Sequence, residues 1–224
     1  MRILALDSSG AACSAALWQD GAVRAARLEP RARGHAERLL PIVLAVAAEA
    51  GTRLGEVDVF AATTGPGGFT GVRVGLAALR GLALAAGRPM LGITSFAALA
   101  HATTAAERMA GRLLVVIDSQ RDELFAQAFA PDLLVEGEPM LMTATAITER
   151  FGGEALLLAG DAAASVAAAL EARSGRARLA ANAALIDARV VAALAATRAA
   201  EATREAPQAC YLHPPAVSRP APLR

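Results

Sequence analysis

Two short stretches decide the reading of this chain: LALDSS at Leu4–Ser9 and VVIDSQ at Val115–Gln120. Each is an apolar run closed by Asp-Ser, Asp7-Ser8 in the first and Asp118-Ser119 in the second. A short apolar run ended by a small polar turn reads as a buried strand. The sequel is similar too. After Asp7 come a strand at Cys13–Gln19, the hairpin signal Asp20-Gly21 and a third strand at Ala22–Leu28. After Asp118 come ELFAQAF at Glu123–Phe129 and an extended segment near Leu133–Leu141.

Working outward, the first copy continues with a helix over Gly34–Ala50, a strand at Val57–Thr63 and a helix at Phe69–Ala86. A strand at Met90–Thr94 and a helix opening at Ser95, with Ser95 as its cap, complete it. The second copy has a helix at Thr143–Phe151, a strand at Ala155–Ala159, a helix at Asp161–Arg173 and a last helix at Ala183–Ala200. A Pro-rich tail follows. Three antiparallel strands and then alternating helices and strands, written twice, predict a duplicated βββαβαβα unit. That is the two-lobed, actin-like (ASKHA, ribonuclease H-like) α/β fold. The lobes are expected at 1–108 and 109–224, with the final helix and tail packing back on the first.

Composition narrows the chemistry. The apolar fraction is 55%, much of it alanine, and the longest unbroken apolar stretch, Leu39–Ala48, is shorter than a bilayer span. With no signal-like N-terminus either, a cytoplasmic protein without membrane contact is expected. Net charge is +1 and all 22 basic residues are arginine, so Schiff-base lysine chemistry is excluded and tight independent RNA binding is not expected. Cys13 and Cys210 form no CxxC pair, and His35, His101 and His213 form no HxxxH or HExxH pair, so no protein-ligated metal is expected.

The glycine-rich run TTGPGGFTGVRVG, Thr63–Gly75, invites a phosphate-loop reading and fails it. Gly65, Gly67, Gly68 and Gly71 offer no pair five apart, and a Walker A loop needs the absent lysine. A dinucleotide fingerprint needs an acid ending the next strand, where this chain has LGITS. Amides at a helix start still make an anion nest conceivable at Gly67 and Gly68. Asp7 with Ser8 and Ser9 either caps its own turn or faces magnesium through water.

In order along the chain, ILALDSS, CSAALWQDG, GHAERLLPIV, TTGPGGFTGVRVGLAALRGLA, PMLGITSFAALA and CYLHPPAV resemble the bacterial TsaB (YeaZ) family of tRNA threonylcarbamoyladenosine biosynthesis proteins. The resemblance implies a noncatalytic paralogue of the enzyme TsaD. It would bind and support TsaD, with the ATPase TsaE, in forming N6-threonylcarbamoyladenosine at position 37 of tRNAs reading ANN codons. ATP would be used by the complex, none would be required by this chain, and nucleotide or Mg²⁺ would bind weakly at most. Contact with tRNA would be indirect, and the isolated chain would form a homodimer. Catalytic relatives hold a metal with a His-x3-His pair after the strand at Met90, where this chain has TSFAALAHA with His101 alone. The second-lobe turn IDSQRDEL also lacks the glycine that lets backbone approach a phosphate. The other readings are an active ATPase or kinase of the same fold and, behind it, a metalloprotease.

The resemblance places the partner surface on the two first-lobe helices. Apolar and small residues at helical spacing mark it there: Leu39, Val43 and Val46 on the first, and Gly71, Val72, Gly75, Ala78 and Leu79 on the second. One face of each helix must also cover the lobe's own sheet. Arg73 and Arg80 are expected at the rim. Arg31, Arg33 and His35, just before the first helix, read as a solvated entry loop in preference to a tRNA-backbone contact.

Overall fold

A computed structural model describes residues 1–212. The Pro-rich run beyond Leu212, His213 included, lies outside the described residues. The first unit runs β1 (Arg2–Asp7), β2 (Ala12–Gln19), β3 (Ala22–Pro30), α1 (His35–Glu49), β4 (Val59–Thr63), α2 (Phe69–Ala86), β5 (Met90–Ile93) and α3 (Ser95–His101). A short connector, α4 (Ala105–Arg108), leads to the second. That unit runs β6 (Arg112–Asp118), β7 (Glu123–Phe129), β8 (Val135–Thr143), α5 (Ala144–Phe151), β9 (Ala155–Ala159), α6 (Ala163–Glu171), β10 (Arg176–Leu179) and α7 (Ala188–Thr197).

The two sheets repeat one topology, β3-β2-β1-β4-β5 and β8-β7-β6-β9-β10. In each, the first three strands are antiparallel, and the fourth and fifth add in parallel. The duplicated actin-like arrangement expected from the Asp-Ser repeat is the one found. β1 reads as unbroken apolar sequence because both its faces are covered. Leu4 and Leu6 join a core with α1 and α2, while Ile3 and Ala5 join another with α3 and α7.

Local chemistry fixes the ends of the elements. Gly68 precedes α2, and Gly87 at φ +66° ends it in the left-handed conformation that glycine adopts without steric cost. By length and composition α2 is apolar enough to cross a membrane, with mean hydropathy 1.4 over 18 residues. Here it packs on β1 and β4 and turns Arg73 and Arg80 outward. The cap of α3 is Thr94, not Ser95: the Thr94 hydroxyl accepts the Ala97 amide, while Ser95 is buried. β10 was not expected from sequence, and β4 starts at Val59 because a 3₁₀ turn occupies Leu54–Glu56. The last helix is shorter than expected, opening where the Asp187 side chain accepts the Arg189 amide.

The chain's closing segments lie on the first lobe. α7 packs across β1, β2, β3, β4 and β5, and Ser14 Oγ pins its start by donating to Ile186 O and accepting from Ala188 N, both at 3.0 Å. Residues beyond it form a strap along β5. Met90 and Thr203 exchange backbone hydrogen bonds, and the Cys210 amide donates to Thr64 O at 2.8 Å. Gly92 makes room for this strap, since a Cβ there would lie 2.7 Å from Pro207 Cβ.

Candidate functional site

The strand ends converge on a cleft of about 720 Å³ between the lobes. The first-lobe wall is the turn Ser8–Ala11, His35 at the start of α1 and Gly68–Gly71 at the start of α2. Asp118–Arg121 and Asp161 form the opposite wall.

Asp7 sits under this cleft rather than in it. Its Oδ1 accepts the Ser9 amide at 3.1 Å, the Ser9 hydroxyl at 2.6 Å and the Thr63 hydroxyl. The residue is wholly buried, and Oδ2 has no hydrogen-bond partner among the described residues. Burial pushes the carboxyl above its usual range, against the lowering effect of the Ser9 and Thr63 hydrogen bonds.

The glycines meet this turn directly. A Cβ on Gly67 would stand 2.3 Å from Ser9 O, and one on Gly71 would stand 2.0 Å from Ser8 O. The Gly68 amide donates to Ser9 O at 2.8 Å, and Ser8 Oγ donates to Gly71 O at 2.9 Å. At Gly75 a Cβ would lie 3.0 Å from Ser8 Oγ. The small-residue track therefore receives the chain's own β1–β2 turn. This corrects the expectation that Gly71 and Gly75 admit a partner's backbone.

Of the residues expected at a nucleotide or anion site, Ser8, Ser9 and Gly68 line the cleft, whereas Asp7 and Gly67 do not. The start of α2 would favour an anion there. Opposite it stand the Asp118 and Asp161 carboxylates, with His35 and Arg121 as the basic lining residues. His35 Nε2 lies 3.0 Å from Gly10 O and is the donor to it. Asp161 Oδ1 accepts the Asp118 amide at 2.8 Å, and burial raises its pKa, with Asp118 adding to the rise. Gly67, Gly68 and Gly71 are spent on packing against the β1–β2 turn, while Asp118 and Asp161 set two carboxylates, oxygen ligands of the kind magnesium takes, on the opposite wall. No group of three metal-ligating side chains occurs among the described residues, and His101 Nδ1 donates to Ala97 O at 3.0 Å in its own helix.

The helix pair α1–α2 carries the second candidate surface, with a shifted set of residues. Leu39, Val43, Val46, Val72 and Leu79 are each at most 2% exposed and belong to the lobe's core, Gly75 is buried, and Ala78 is half-buried against that core. Sheet coverage takes that face. Outward stand Leu40 at 44%, Leu44 at 46% and Leu84 at 84% exposure, with Pro41, Ala77 and Gly81 also exposed. The sequence signal was a helical phase error of one position: Leu40 and Leu44 form their own i, i+4 pair beside Leu39 and Val43. At the cleft end of α2, the Arg73 guanidinium stacks 3.6 Å from the centre of the Phe69 ring and donates to the Tyr211 hydroxyl at 3.1 Å. Asp161 was also missed, because a strand-end acid after a lone glycine has no distinguishing spacing.

Residues 29–171 match the family model of TsaD, tRNA N6-adenosine threonylcarbamoyltransferase. The tRNA threonylcarbamoyladenosine biosynthesis protein TsaB of Escherichia coli is 39% identical over 132 residues, 59% of this chain and 56% of that protein. The match thus spans little more than half of that curated relative. YeaZ from Pseudomonas aeruginosa superposes with a TM-score of 0.78 at 30% identity, covering 94% of this chain and 99% of that one. Component A of (R)-2-hydroxyglutaryl-CoA dehydratase from Acidaminococcus fermentans, at 11% identity and a TM-score of 0.54 over 89% of this chain and 99% of that one, shares the fold alone. With the duplicated sheets, the family-model match and the near-complete YeaZ superposition, the chain belongs to the TsaB/YeaZ family, related to TsaD.

Proposed function

We propose that this chain is a noncatalytic accessory subunit in the biosynthesis of tRNA threonylcarbamoyladenosine. It binds and supports a TsaD protein, with TsaE, in a complex that consumes ATP and modifies position 37 of tRNAs reading ANN codons. The observation that carries the reading is the outward apolar row on α1 and α2: Leu40, Leu44 and Leu84 are large, exposed and on one helix pair. The noncatalytic part is supported by the glycines at the start of α2, which pack against the chain's own β1–β2 turn rather than standing free for a phosphate. The row is also where two copies of the chain would meet in the absence of TsaD.

Leu44→Arg with Leu84→Arg is the direct test. Both side chains are exposed, so the fold should survive, while capture of TsaD falls at least tenfold by titration calorimetry. Undiminished capture by the doubly substituted chain would exclude this face. Reconstituted threonylcarbamoylation with and without the chain tests the wider reading: TsaD and TsaE working equally well alone would refute it. Sustained ATP turnover by the isolated chain would favour the ATPase or kinase alternative.

A further inference from the structure

β5 and β10 are the same strand of the repeated unit, each the outer edge of its sheet. β5 is covered: Thr203 pairs with Met90, and Pro207 lies on Gly92. Among the described residues β10 pairs with β9 on one side only, and it is basic. Arg176 and Arg178 alternate with the half-buried Ala177, so both project from one face of the strand, roughly 7 Å apart. Arg173 stands just before them.

The turn between α6 and β10 holds that placement. The Gly175 amide donates to Leu170 O at 2.8 Å and the Ser174 amide to Glu171 O at 3.0 Å, with Ser174 at φ +60°. This is a Schellman-type helix end, which reverses the chain within a few residues. A Cβ at Gly175 would sit 3.1 Å from Leu170 O.

These arginines differ from others in the molecule. Arg112 is clamped between Glu136 and Glu154, Arg38 meets Glu29, and Arg198 meets Glu201. Arg173, Arg176 and Arg178 are exposed, and their side chains make no ion pair, hydrogen bond or ring contact among the described residues. Glu171, the one acid in residues 171–180, pairs with none of them. Charge on an open edge discourages strand pairing, a role that either sign serves. Three cations without a counter-ion select for a polyanion.

We propose that the open edge β10, through Arg173, Arg176 and Arg178, binds the phosphate backbone of RNA. The choice of RNA over an acidic protein rests on the function proposed above, since a tRNA is the substrate of that complex. The contact is independent of sequence, because hydrogen bonds to phosphate oxygens position a nucleic acid without reading its bases. Three phosphate contacts are too few for tight binding by this chain alone, so the edge adds to the grip of the assembled complex.

The test substitutes Arg173→Gln, Arg176→Gln and Arg178→Gln together, at exposed positions outside the α1–α2 face. Fluorescence anisotropy with labelled tRNA is read over a salt series, on the reconstituted complex and on the isolated chain at low salt. TsaD capture is measured in parallel. The expected result is unchanged capture, tRNA affinity lower by about tenfold, and a salt slope shallower by roughly 2, close to 0.7–0.9 per lost phosphate contact. Unchanged affinity and slope would overturn the proposal. So would loss of TsaD capture with tRNA binding intact, which would make the edge a protein dock. If the unsubstituted chain captures no TsaD, the subunit reading fails, and the isolated-chain comparison still decides the edge.

Discussion

The first turns of the two lobes begin alike and end in different work. In both, an aspartate closing a strand accepts the amide two residues on: Ser9 N to Asp7 Oδ1 at 3.1 Å, and Gln120 N to Asp118 Oδ1 at 2.8 Å. In the first lobe the turn is roofed by Gly67, Gly68 and Gly71, and Asp7, Ser8 and Ser9 are buried. In the second, the loop from β9 to α6 is only Gly160–Ala162, and its tie to the turn is the side chain of Asp161. Gln120 and Arg121 stay exposed. One backbone device has thus become a packing clasp in one copy and a cleft wall in the other. The glycines at the helix start are what separates them.

Breaking the clasp should have the largest effect. Gly71→Ala places a methyl group against Ser8 O, a fixed backbone atom, and should cost about 3 kcal/mol in denaturant unfolding. A loss below ~1 kcal/mol would mean that the turn yields and the clasp is loose. Asp161→Ala cuts the second-lobe tie at a more exposed site and should cost only about 1 kcal/mol. Equal costs for the two variants would erase the distinction between clasp and wall.

The smallest effect is a difference in pH dependence. Burial raises the Asp7 carboxyl in the folded state, so the folded chain binds more protons than the unfolded one. Asp7 therefore costs stability above its folded pKa and returns it as pH falls towards its unfolded value of about 4. Asp7→Asn keeps an oxygen for the Ser9 and Thr63 donors. Its stability relative to the unsubstituted chain should grow as pH rises above the unfolded carboxyl value of about 4 and shrink as pH falls back towards it. A gap that does not change with pH would show that burial leaves this carboxyl untouched.

The repeat itself was legible because Asp7-Ser8 and Asp118-Ser119 follow strands buried on both faces, which leaves an uninterrupted apolar signature. The bounds of α2 were legible from the glycines flanking it. β10 was not, since RARL turns two arginines outward and offers too little apolar alternation to read as a strand. For Gly71 and Gly75, sequence showed that something comes close without showing what. A small residue records a near neighbour but not its identity. Leu39 and Leu40 show the same limit: helical spacing places both near an apolar stripe, and only the sheet beneath decides which one is buried.

Ser14 waits on the far end of the chain. Its hydroxyl is completed by Ile186 and Ala188, 172 and 174 residues later, and the outer face of β1 is sealed by α7. During synthesis from the N-terminus, the first sheet emerges long before the helix that closes it. Until then Ile3, Ala5 and Ala61 lie open to water or to other chains. The half of the molecule made first is thus the half finished last, and its newborn form is the one most in need of shelter.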